Sequence, residues 1–353
     1  MSASHQERVS VIIPARNEEV NIARVVRSLA NQQGLREILV VDDQSVDRTR
    51  EILAALEAEI PLLRTLRVES LPEGWLGKTH AVAEGARVAA GDWLLFTDAD
   101  TEHLAGSLAE LVQRAEDEGA DLLSLSPGQE TPTWWEKSVI PFVYVKLASL
   151  FGFEEVSDPH SPAAAANGQY MLVRRDVYER SGGHEAVKSE ILEDVELART
   201  IKALGGKLLF LPGARWVRTR MYHSFREMWQ GWTKNLYLLY QGNLSMMLAA
   251  VASLWLLDVF PVLAFMAACL CVATARAGGV ATLMALGLFL LALARQWNYG
   301  RALARLGFDP ALASYQPIGA ALLGALVLAS LRAHRATGNI EWKGRHYATK
   351  GKG

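Results

Sequence analysis

The chain has 353 residues, of which half are hydrophobic, and a formal net charge of -2 at pH 7. A chain of this length can form a large core or more than one domain. The charge offers no basic surface for a nucleic acid. The two cysteines, Cys269 and Cys271, indicate neither a disulfide framework nor a zinc site.

Strands and helices alternate in the first part of the chain. The β-branched run Val9–Pro14 predicts a strand, and the helical pattern of Val20–Leu29 follows it. A strand at Ile38–Val41 precedes a helix over Asp47–Leu56, and a third strand is expected near Leu63–Val68. This alternation predicts an α/β domain with a mostly parallel sheet and helices on both of its faces.

Paired acidic residues end two of the predicted strands. Ile38–Val41 runs into Asp42-Asp43, and the apolar run Trp93–Phe96 runs into Thr97-Asp98-Ala99-Asp100. Ligands of open α/β sheets bind beyond the carboxyl ends of the strands, and Mg²⁺ is typically held by one or two carboxylates plus substrate phosphates. The pairs therefore predict a site for a cation and a phosphorylated substrate. Taken alone, Asp100 is equally consistent with a cap for a helix beginning near Glu102.

A third acidic cluster lies in Glu190–Arg199, whose apolar positions predict a helix with acids at its beginning. Two interpretations are open. The acids belong to a solvated helix start, or Asp194 faces the same crevice as the strand ends. In the second case Asp194 serves as a general base that takes a proton from an acceptor hydroxyl.

The segment Leu244–Leu331 is nearly free of acids and is predicted to be a membrane region. Leu244–Ala275 has the length of one long span or of a hairpin broken at Asp258 and Pro261. Gly279–Ala294 and Ala313–Leu331 are two further apolar segments, and a buried helical bundle is the alternative. We favour a hairpin or re-entrant pair in the first block, because three simple crossings would place the basic tail outside.

The distribution of basic residues sets the expected orientation. They lie between the last two apolar segments and after the last one: Arg295, Arg301, Arg305, Arg332, Arg335, Lys343, Arg345, Lys350 and Lys352. Cytoplasmic loops carry such an excess. Met1–Arg8 is polar and is not expected to act as a signal peptide. The first 240 residues are therefore expected in the cytoplasm, with an even number of crossings.

Five segments in this order resemble the inverting glycosyltransferase family 2, which has the GT-A fold. They are Val9–Pro14 with Asn17-Glu18-Glu19, Val40–Thr49, Gly77-Lys78, Thr97–Asp100 and Glu193-Asp194. The resemblance covers residues 9 to about 240. It implies a nucleotide-diphosphate sugar donor, usually UDP-linked, and a Mg²⁺ or Mn²⁺ ion.

The resemblance also implies residue roles. The donor would be bound by Pro14, Ala15, Asn17, Glu18, Asp43, Lys78 and Asp98. Asp43 would contact the uracil, and Lys78 would lie close to the base or the diphosphate. Asp98 would face the ribose and the metal, Asp100 would be the main metal ligand, and Asp194 would be the base. Attack from the side opposite the leaving diphosphate would invert the anomeric centre.

An acceptor side is implied by further similarities. Asn167–Arg175 and Gly182-Gly183-His184 resemble the acceptor-side segment of members that glycosylate lipids, although the glycines also suit ordinary turns and a lone histidine there also suits a surface loop. Gln230–Asn235 departs from the Gln-X-X-Arg-Trp motif of processive members, which disfavours a polymerising synthase. The expected acceptor and diphosphate residues are Gly168, Gln169, His184, Glu193, Gln230, Trp232 and Lys234.

The aromatic residues just before the apolar region predict a helix near 222–240 at the level of the lipid headgroups. Packing against the globular domain is the alternative. Gly338–Tyr347 resembles the Trp-Lys-Gly-Arg-X-Tyr tail of carotenoid and related lipid glycosyltransferases. We therefore expect a glycosyltransferase domain over 1–240, a transmembrane region over 241–332 and a basic cytoplasmic tail over 333–353.

The predicted function is the transfer of a hexose, from a UDP-sugar or another nucleotide-diphosphate sugar, to a membrane lipid. Carotenoid, hopanoid, sphingoid and glycerolipid acceptors are compatible with the sequence. The enzymatic alternative is transfer to a polyprenyl phosphate, and the alternative of another class is a noncatalytic membrane scaffold. The expected location is the inner membrane of the cell, with several membrane passes and a cytoplasmic catalytic domain.

Overall fold

The computed structural model describes residues 8–274, 279–336, 339–342 and 345–348. The chain divides into two compact units. The first consists of Met1–Gly128 and Leu150–Met221, and the second of Gln129–Ser149 and Tyr222–Gly353. The domain limits at residues 240 and 332 stay predictions. Residues 1–7 and, within the predicted basic tail, 337, 338, 343, 344 and 349–353 lie outside the described residues.

The main sheet of the first unit is mostly parallel. The strands in the described part of the chain are β1 (Val9–Ala15), β2 (Leu35–Asp42), β3 (Leu63–Arg67), β4 (Trp93–Phe96), β5 (Thr101–His103), β6 (Leu122–Ser126), β7 (Gly128–Gln129), β8 (Met171–Arg174), β9 (Leu208–Pro212), β10 (Val217–Thr219), β11 (Asn339–Trp342) and β12 (Arg345–Ala348). The order in the main sheet is β3-β2-β1-β4-β8-β6-β9. Only β8 runs antiparallel to its described neighbours, so the predicted class is confirmed.

Helices cover both faces of this sheet, as predicted. The helices in the described residues are α1 (Ile22–Ala30), α2 (Thr49–Glu59), α3 (Gly77–Val88), α4 (Ser107–Asp117), α5 (Trp134–Leu150), α6 (Phe153–Ser157), α7 (Arg175–Arg180), α8 (Gly183–Ala186), α9 (Glu193–Ala203), α10 (Phe225–Leu239), α11 (Leu244–Leu254), α12 (Phe260–Ala273), α13 (Gly279–Arg305) and α14 (Gln316–Ala336). Side chains alternate along β1. Val11 and Ile13 join the core under α1, α2 and α4, and Ile12 joins the core under α3 and α9.

The strand register brings the predicted acidic loops to one edge of the sheet. Ala15 at the end of β1 lies opposite Asp42 at the end of β2, and Phe96 at the end of β4 lies opposite Ile12 of β1. Both β1 and β2 are longer than predicted, but their carboxyl ends differ from the predicted ends by one residue. The loops that follow these three strands therefore start from neighbouring positions.

The predicted hairpin in the first apolar block is wrong. The helix continues from Leu244 to Ala273, with a π-helical turn at Trp255–Val259. Such a turn already interrupts the regular ladder of hydrogen bonds just before Pro261, so the missing N–H of the proline does not end the helix. Asp258 is buried instead of lying at a loop, and it accepts hydrogen bonds from Arg295 and Gln316.

In the described part of the chain, three helical stretches are long and apolar enough to cross a membrane. They are Leu244–Cys271, Gly279–Arg305 and Pro310–Arg335, the last of which begins with a 3-10 helix at Pro310–Tyr315. Cys269 and Cys271 are free and exposed on the first of them. The second unit therefore has the composition of a membrane-associated unit.

Candidate functional site

Hydrogen bonds join the loop after β1 to the loop after β2. Asn17 donates its N–H to Ser45 Oγ at 3.0 Å, and its own Oδ1 accepts the N–H of Val46 at 2.9 Å. Glu18 donates its N–H to Thr49 Oγ1 at 2.8 Å. Asn17 has a φ of 55°, a left-handed conformation in which asparagine is enriched. Asn17 and Glu18, both predicted to bind the donor, thus belong to one interlocked pair of loops.

The two acids after β2 have different surroundings. Asp42 accepts the Nε–H of Arg50 at 2.7 Å and the N–H of Ser45 at 3.0 Å, so its carboxylate holds the start of α2 to the end of β2. Asp43 is buried, and its N–H donates to the carbonyl of Ala15 at 2.8 Å. The structure therefore gives Asp42 a structural role and places Asp43 beside the end of β1, where Pro14 is half-buried.

Lys78, at the start of α3, joins two acidic segments of the first unit. Its Nζ lies 2.8 Å from Asp98 Oδ1, after β4, and 2.9 Å from Glu193 Oε1, at the start of α9. Asp194 follows Glu193, and its Oδ2 accepts the N–H of Gly168 at 2.8 Å. The structure thus brings together five residues that were predicted from four separate motifs.

Charges and burial shift the pKa values in this cluster. Burial and the neighbouring charge of Glu193 raise the pKa of Asp194 to about 6, against the lowering effects of Lys78 and two backbone N–H groups. Burial lowers the pKa of Lys78, but the charges of Asp98, Glu193 and Asp194 outweigh it and hold that pKa well above its usual value. At neutral pH the cluster therefore contains a charged lysine beside a carboxylate that can take up a proton just below neutrality.

Gly168 lies close to Lys78 and Asp194, and a side chain at this position would require the flexible end of Lys78 to move. A Cβ at this position would lie 2.9 Å from Lys78 Nζ and 3.5 Å from Asp194 Oδ2. The second oxygen of Asp194, Oδ1, accepts the N–H of Val195 at 2.8 Å. Two backbone N–H groups thus fix the orientation of the Asp194 carboxylate, and a side chain at Gly168 would fill the space beside it.

A buried polar network supports the loop that carries Asp98 and Asp100. Thr97 donates its hydroxyl to the carbonyl of Gln169 at 2.8 Å, and Thr101 donates its own to the carbonyl of Asp98 at 2.8 Å. Both hydroxyls lie within 3.4 Å of His103 Nε2. Burial lowers the pKa of His103 to about 3, so its ring is neutral. The supporting role of these residues was not predicted from the sequence, where its signal is the pair of threonines flanking the acids.

Asp98 and Asp100 have the chemistry of a site for Mg²⁺ or Mn²⁺. Their carboxylates follow the same strand, and the carbonyl of Asp100 is fixed by the hydroxyl of Thr219 at 3.1 Å. No group of three His, Cys, Asp or Glu side chains able to hold a metal occurs in the described ranges. Two carboxylates suffice for hard cations that take their other ligands from phosphates and water. The residues present therefore fit a metal that arrives with a diphosphate.

His184 lies inside the first unit and not on a surface loop. Its Nδ1 is 2.9 Å from the hydroxyl of Tyr178, and its ring centroid is 4.8 Å from that of Phe96. Burial lowers the pKa of His184 to about 3, with a further contribution from the charge of Lys78. The predicted surface-loop alternative for this residue is wrong. Its predicted place on the acceptor side stays a prediction.

Gln230, Trp232 and Lys234 lie on α10 in the second unit. The helix begins at the N-cap Ser224, whose Oγ accepts the N–H of Glu227 at 3.2 Å, and the carboxylate of Glu227 accepts the N–H of His223 at 2.9 Å. Gln230 is exposed and Trp232 is buried. These three residues belong to the second unit, whereas the cluster around Lys78 belongs to the first, so their predicted place on the acceptor side stays a prediction.

Comparison with known proteins finds similarity to glycosyltransferases. The glycosyl transferase family 2 model matches residues 10–182. The 4,4'-diaponeurosporenoate glycosyltransferase of Staphylococcus aureus (strain MRSA252) is 26% identical, over 98% of this chain and 89% of that protein. Its counterpart in Staphylococcus haemolyticus (strain JCSC1435) is 29% identical, over 65% of this chain and 61% of that protein.

A solved structure with a similar fold is that of a mannosyltransferase from Pyrobaculum calidifontis in complex with GDP-Man and Mn²⁺. The TM-score is 0.50, with 19% sequence identity over 93% of this chain and 87% of that chain. At this identity the likeness concerns the fold alone, and it agrees with the predicted GT-A fold.

Proposed function

We propose that this chain, a glycosyltransferase with a family 2 domain, transfers a hexose from a nucleotide-diphosphate sugar to a membrane lipid with inversion at the anomeric carbon. The observation that carries the proposal is the cluster of Asp98, Lys78, Glu193 and Asp194 at the carboxyl edge of the sheet. It contains a donor-side carboxylate (Asp98), the ammonium of Lys78 and a candidate base (Asp194), linked by the contacts of Lys78 and Gly168.

The donor side is assigned to the loops after β1, β2 and β4. Asp43 would bind the base, most simply uracil, beside Pro14, Ala15, Asn17 and Glu18. Asp98 and Asp100 would hold Mg²⁺ or Mn²⁺, which when bound neutralises charge on the departing diphosphate. The ammonium of Lys78 lies 2.8 Å from Asp98, so it can turn to a diphosphate oxygen when the donor occupies the site.

Asp194 is assigned the proton transfer. The acceptor hydroxyl forms a bond to the anomeric carbon as the bond to the diphosphate breaks, and its proton passes to an oxygen of Asp194. The products are the glycosylated lipid and a nucleoside diphosphate. A base with a pKa of about 6 is ionised at neutral pH and still basic enough to assist. The N–H groups of Gly168 and Val195 hold the carboxylate in place for that step.

A carotenoid-type acceptor is the proposed lipid. Its support is the name of the staphylococcal relatives, which refers to diaponeurosporenoate, and the apolar helices of the second unit. The acceptor group would be a hydroxyl or a carboxyl, bordered in the first unit by Gly168 and Gln169. Gln230, Trp232 and Lys234 stay acceptor-side candidates by their sequence alone. We place the enzyme in the inner membrane with its catalytic unit in the cytoplasm, because the basic residues Arg301, Arg305, Arg332 and Arg335 lie near the ends of the apolar helices.

The direct test compares lipids from cells with and without the gene by mass spectrometry, which reports the acceptor and the added sugar together. The purified wild-type protein and its Asp100→Ala and Asp194→Ala variants are then assayed for sugar transfer with UDP-hexose and Mn²⁺. Asp92→Ala is the matched control, since Asp92 precedes β4, the strand that Asp100 follows, and its side chain is 72% exposed. We expect loss of transfer in the first two variants only. Full activity in both would contradict the mechanism, and a mild-acid-labile product would indicate a polyprenyl phosphate acceptor.

The effect of replacing Asp194 should differ between a hydroxyl acceptor and a carboxyl acceptor. A hydroxyl must lose a proton during attack, whereas a carboxyl group is already ionised at neutral pH. We therefore expect Asp194→Asn to lower kcat by about 10²–10⁴-fold with a hydroxyl acceptor. The loss with a carboxyl acceptor should be much smaller. Equal losses with both acceptors would show that Asp194 does not act as a base.

A further inference from the structure

The exposed apolar surface of the second unit is concentrated on two antiparallel helical legs, Trp255–Ala273 and Gly279–Trp297, which we call the apolar hairpin. We call the neighbouring ends of the legs, Ala273 and Gly279, its tip, and residues 275–278 lie outside the described residues. The exposed side chains on the legs include Leu256, Leu257, Phe260, Leu263, Met266, Leu270, Val280, Leu283, Met284, Leu286, Phe289, Leu290, Leu291 and Leu293. Asp258 and Arg295 are the charged residues of the legs. Such a surface needs an apolar partner.

Side chains of the two legs face each other in pairs. The rings of Phe265 and Phe289 are 5.0 Å apart, and Arg295 donates its Nε–H to Asp258 Oδ1 at 3.1 Å. Trp255 and Trp297 are 46% and 71% exposed and lie at the same distance from the tip. At 1.5 Å per residue each leg is about 27 Å long, close to the hydrocarbon thickness of about 30 Å.

The third apolar helix, α14, runs back from the hairpin to α10. At its start, Gln316 donates its Nε2–H to Asp258 Oδ1 at 2.8 Å. Two turns later, a Cβ at Gly324 would lie 3.1 Å from Trp255 Nε1. The helix therefore passes the level of Trp255 about midway, heading away from the tip of the hairpin.

The second half of α14 packs against the helix that precedes the apolar region. Ser330 donates its hydroxyl to the carbonyl of Thr233 at 2.6 Å and accepts the N–H of Tyr237 at 2.9 Å. The ring of His334 stacks on that of Tyr237, with centroids 4.4 Å apart. The end of α14 thus lies beside α10, the helix that precedes the first apolar helix in the chain.

We propose that the apolar hairpin alone crosses the lipid bilayer, in two passes, and that α14 is not a third span. The exposed Trp255 and Trp297 then lie at the membrane interface on the side of α10, which we call the near side, and tryptophan is enriched at such interfaces. Arg301, Arg305, Arg332 and Arg335 all lie on the near side, which is the arrangement expected for a cytoplasmic face. Length and composition alone would make α14 a span, whereas its contacts fix its far end beside α10.

Single cysteines in the full chain test this topology. Cys269 and Cys271 are first replaced by alanine, and one cysteine is introduced as Arg226→Cys on α10, Thr274→Cys near the tip, or Arg335→Cys at the end of α14. All three positions are exposed. A membrane-impermeant maleimide is added to sealed vesicles of both orientations. The vesicles contain the full-length protein in its own membrane.

We expect Arg335→Cys to be labelled in the same vesicle orientation as Arg226→Cys, and Thr274→Cys in the opposite one. Labelling of Arg335→Cys together with Thr274→Cys would mean three crossings. Labelling of Thr274→Cys from the Arg226 side, or from neither side, would mean that the hairpin does not cross. Either result overturns the proposal. The assay does not depend on sugar transfer, so its outcome is separate from the proposed function.

Discussion

Lys78 is the residue that connects the two halves of the candidate site. It pairs with Asp98, which is proposed to face the donor, and with Glu193, which precedes the proposed base. Its charge also lowers the pKa of Asp194. When a diphosphate draws the ammonium towards itself, the pKa of Asp194 should rise. Donor binding and the basicity of Asp194 are thus coupled through a single side chain.

The pH dependence of the wild-type enzyme should follow Asp194. The base acts only when it is ionised, so kcat/KM is expected to rise with pH through about 6 and to level off above it. Glu193→Gln removes a neighbouring negative charge that raises this pKa, and the rise should therefore move to lower pH. Glu196→Gln, on the same helix and paired with Arg199, is the control and should leave the profile in place. A shift of the profile to higher pH in Glu193→Gln would contradict this assignment.

The stability of the first unit should also depend on the ionisation of Asp194, but it should fall with rising pH over the range in which kcat/KM rises. The pKa of Asp194 is higher in the folded chain than its usual value of 3.8, so its contribution to stability is present below about pH 4 and is lost as the pH rises through about 6. Asn cannot ionise and can still accept the N–H of Gly168. Asp194→Asn should thus gain in melting temperature over the wild type between pH 4 and pH 7. A gain independent of pH would point to a different cause.

The acidic motifs predicted the composition of the site but not its connections. Asp98, Asp100 and Asp194 follow from strand ends, a helix start and the family resemblance. The contact between Lys78 and Glu193 joins residues far apart in the chain, and no local pattern encodes it. The network of Thr97, Thr101 and His103 was missed for the same reason, since only burial distinguishes a supporting histidine from a surface one.

Among the elements, the long helix through Asp258 departs most from its sequence pattern. An acid and a proline within an apolar block are typical of a turn, and the sequence predicted a hairpin there. Asp258 receives hydrogen bonds from Arg295 and Gln316, which are 37 and 58 residues away along the chain. The polar residue that suggests a break thus joins three helices, and this depends on tertiary partners that periodicity does not reveal.

Removal of one member of this cluster should destabilise the second unit more than removal of the charged pair. Asp258→Leu leaves the Arg295 side chain, which is 35% exposed, beside an apolar side chain, at a cost below that of breaking a fully buried pair, about 3–5 kcal/mol. The double variant Asp258→Leu with Arg295→Leu removes both charges and should recover a large part of that loss. Thermal unfolding of the full chain in lipid nanodiscs measures both. If the effects of the two single substitutions simply add in the double variant, the pair is not coupled.

At the scale of the whole molecule, the net charge of -2 conceals an uneven distribution of acidic and basic residues along the chain. The chain between Asp258 and Asp309 has no acid, and the arginines after Arg295 follow the apolar legs. This asymmetry predicted an even number of crossings. It did not reveal which helices cross, because all three apolar stretches have sufficient length and hydropathy. The hydrogen bonds of Gln316 and Ser330 carry that information.

Insertion of the apolar hairpin should depend on the outward face of its legs. Leu290 is 55% exposed near the middle of the second leg. Leu290→Arg would place a charge deep in the hydrocarbon, at a cost of about 3 kcal/mol. Leu204, at the end of α9 in the first unit, is 63% exposed, so Leu204→Arg is a matched control in water. After alkaline extraction of membranes, we expect less Leu290→Arg than wild type in the pellet, with Leu204→Arg unchanged. Equal retention of all three proteins would mean that Leu290 does not face lipid.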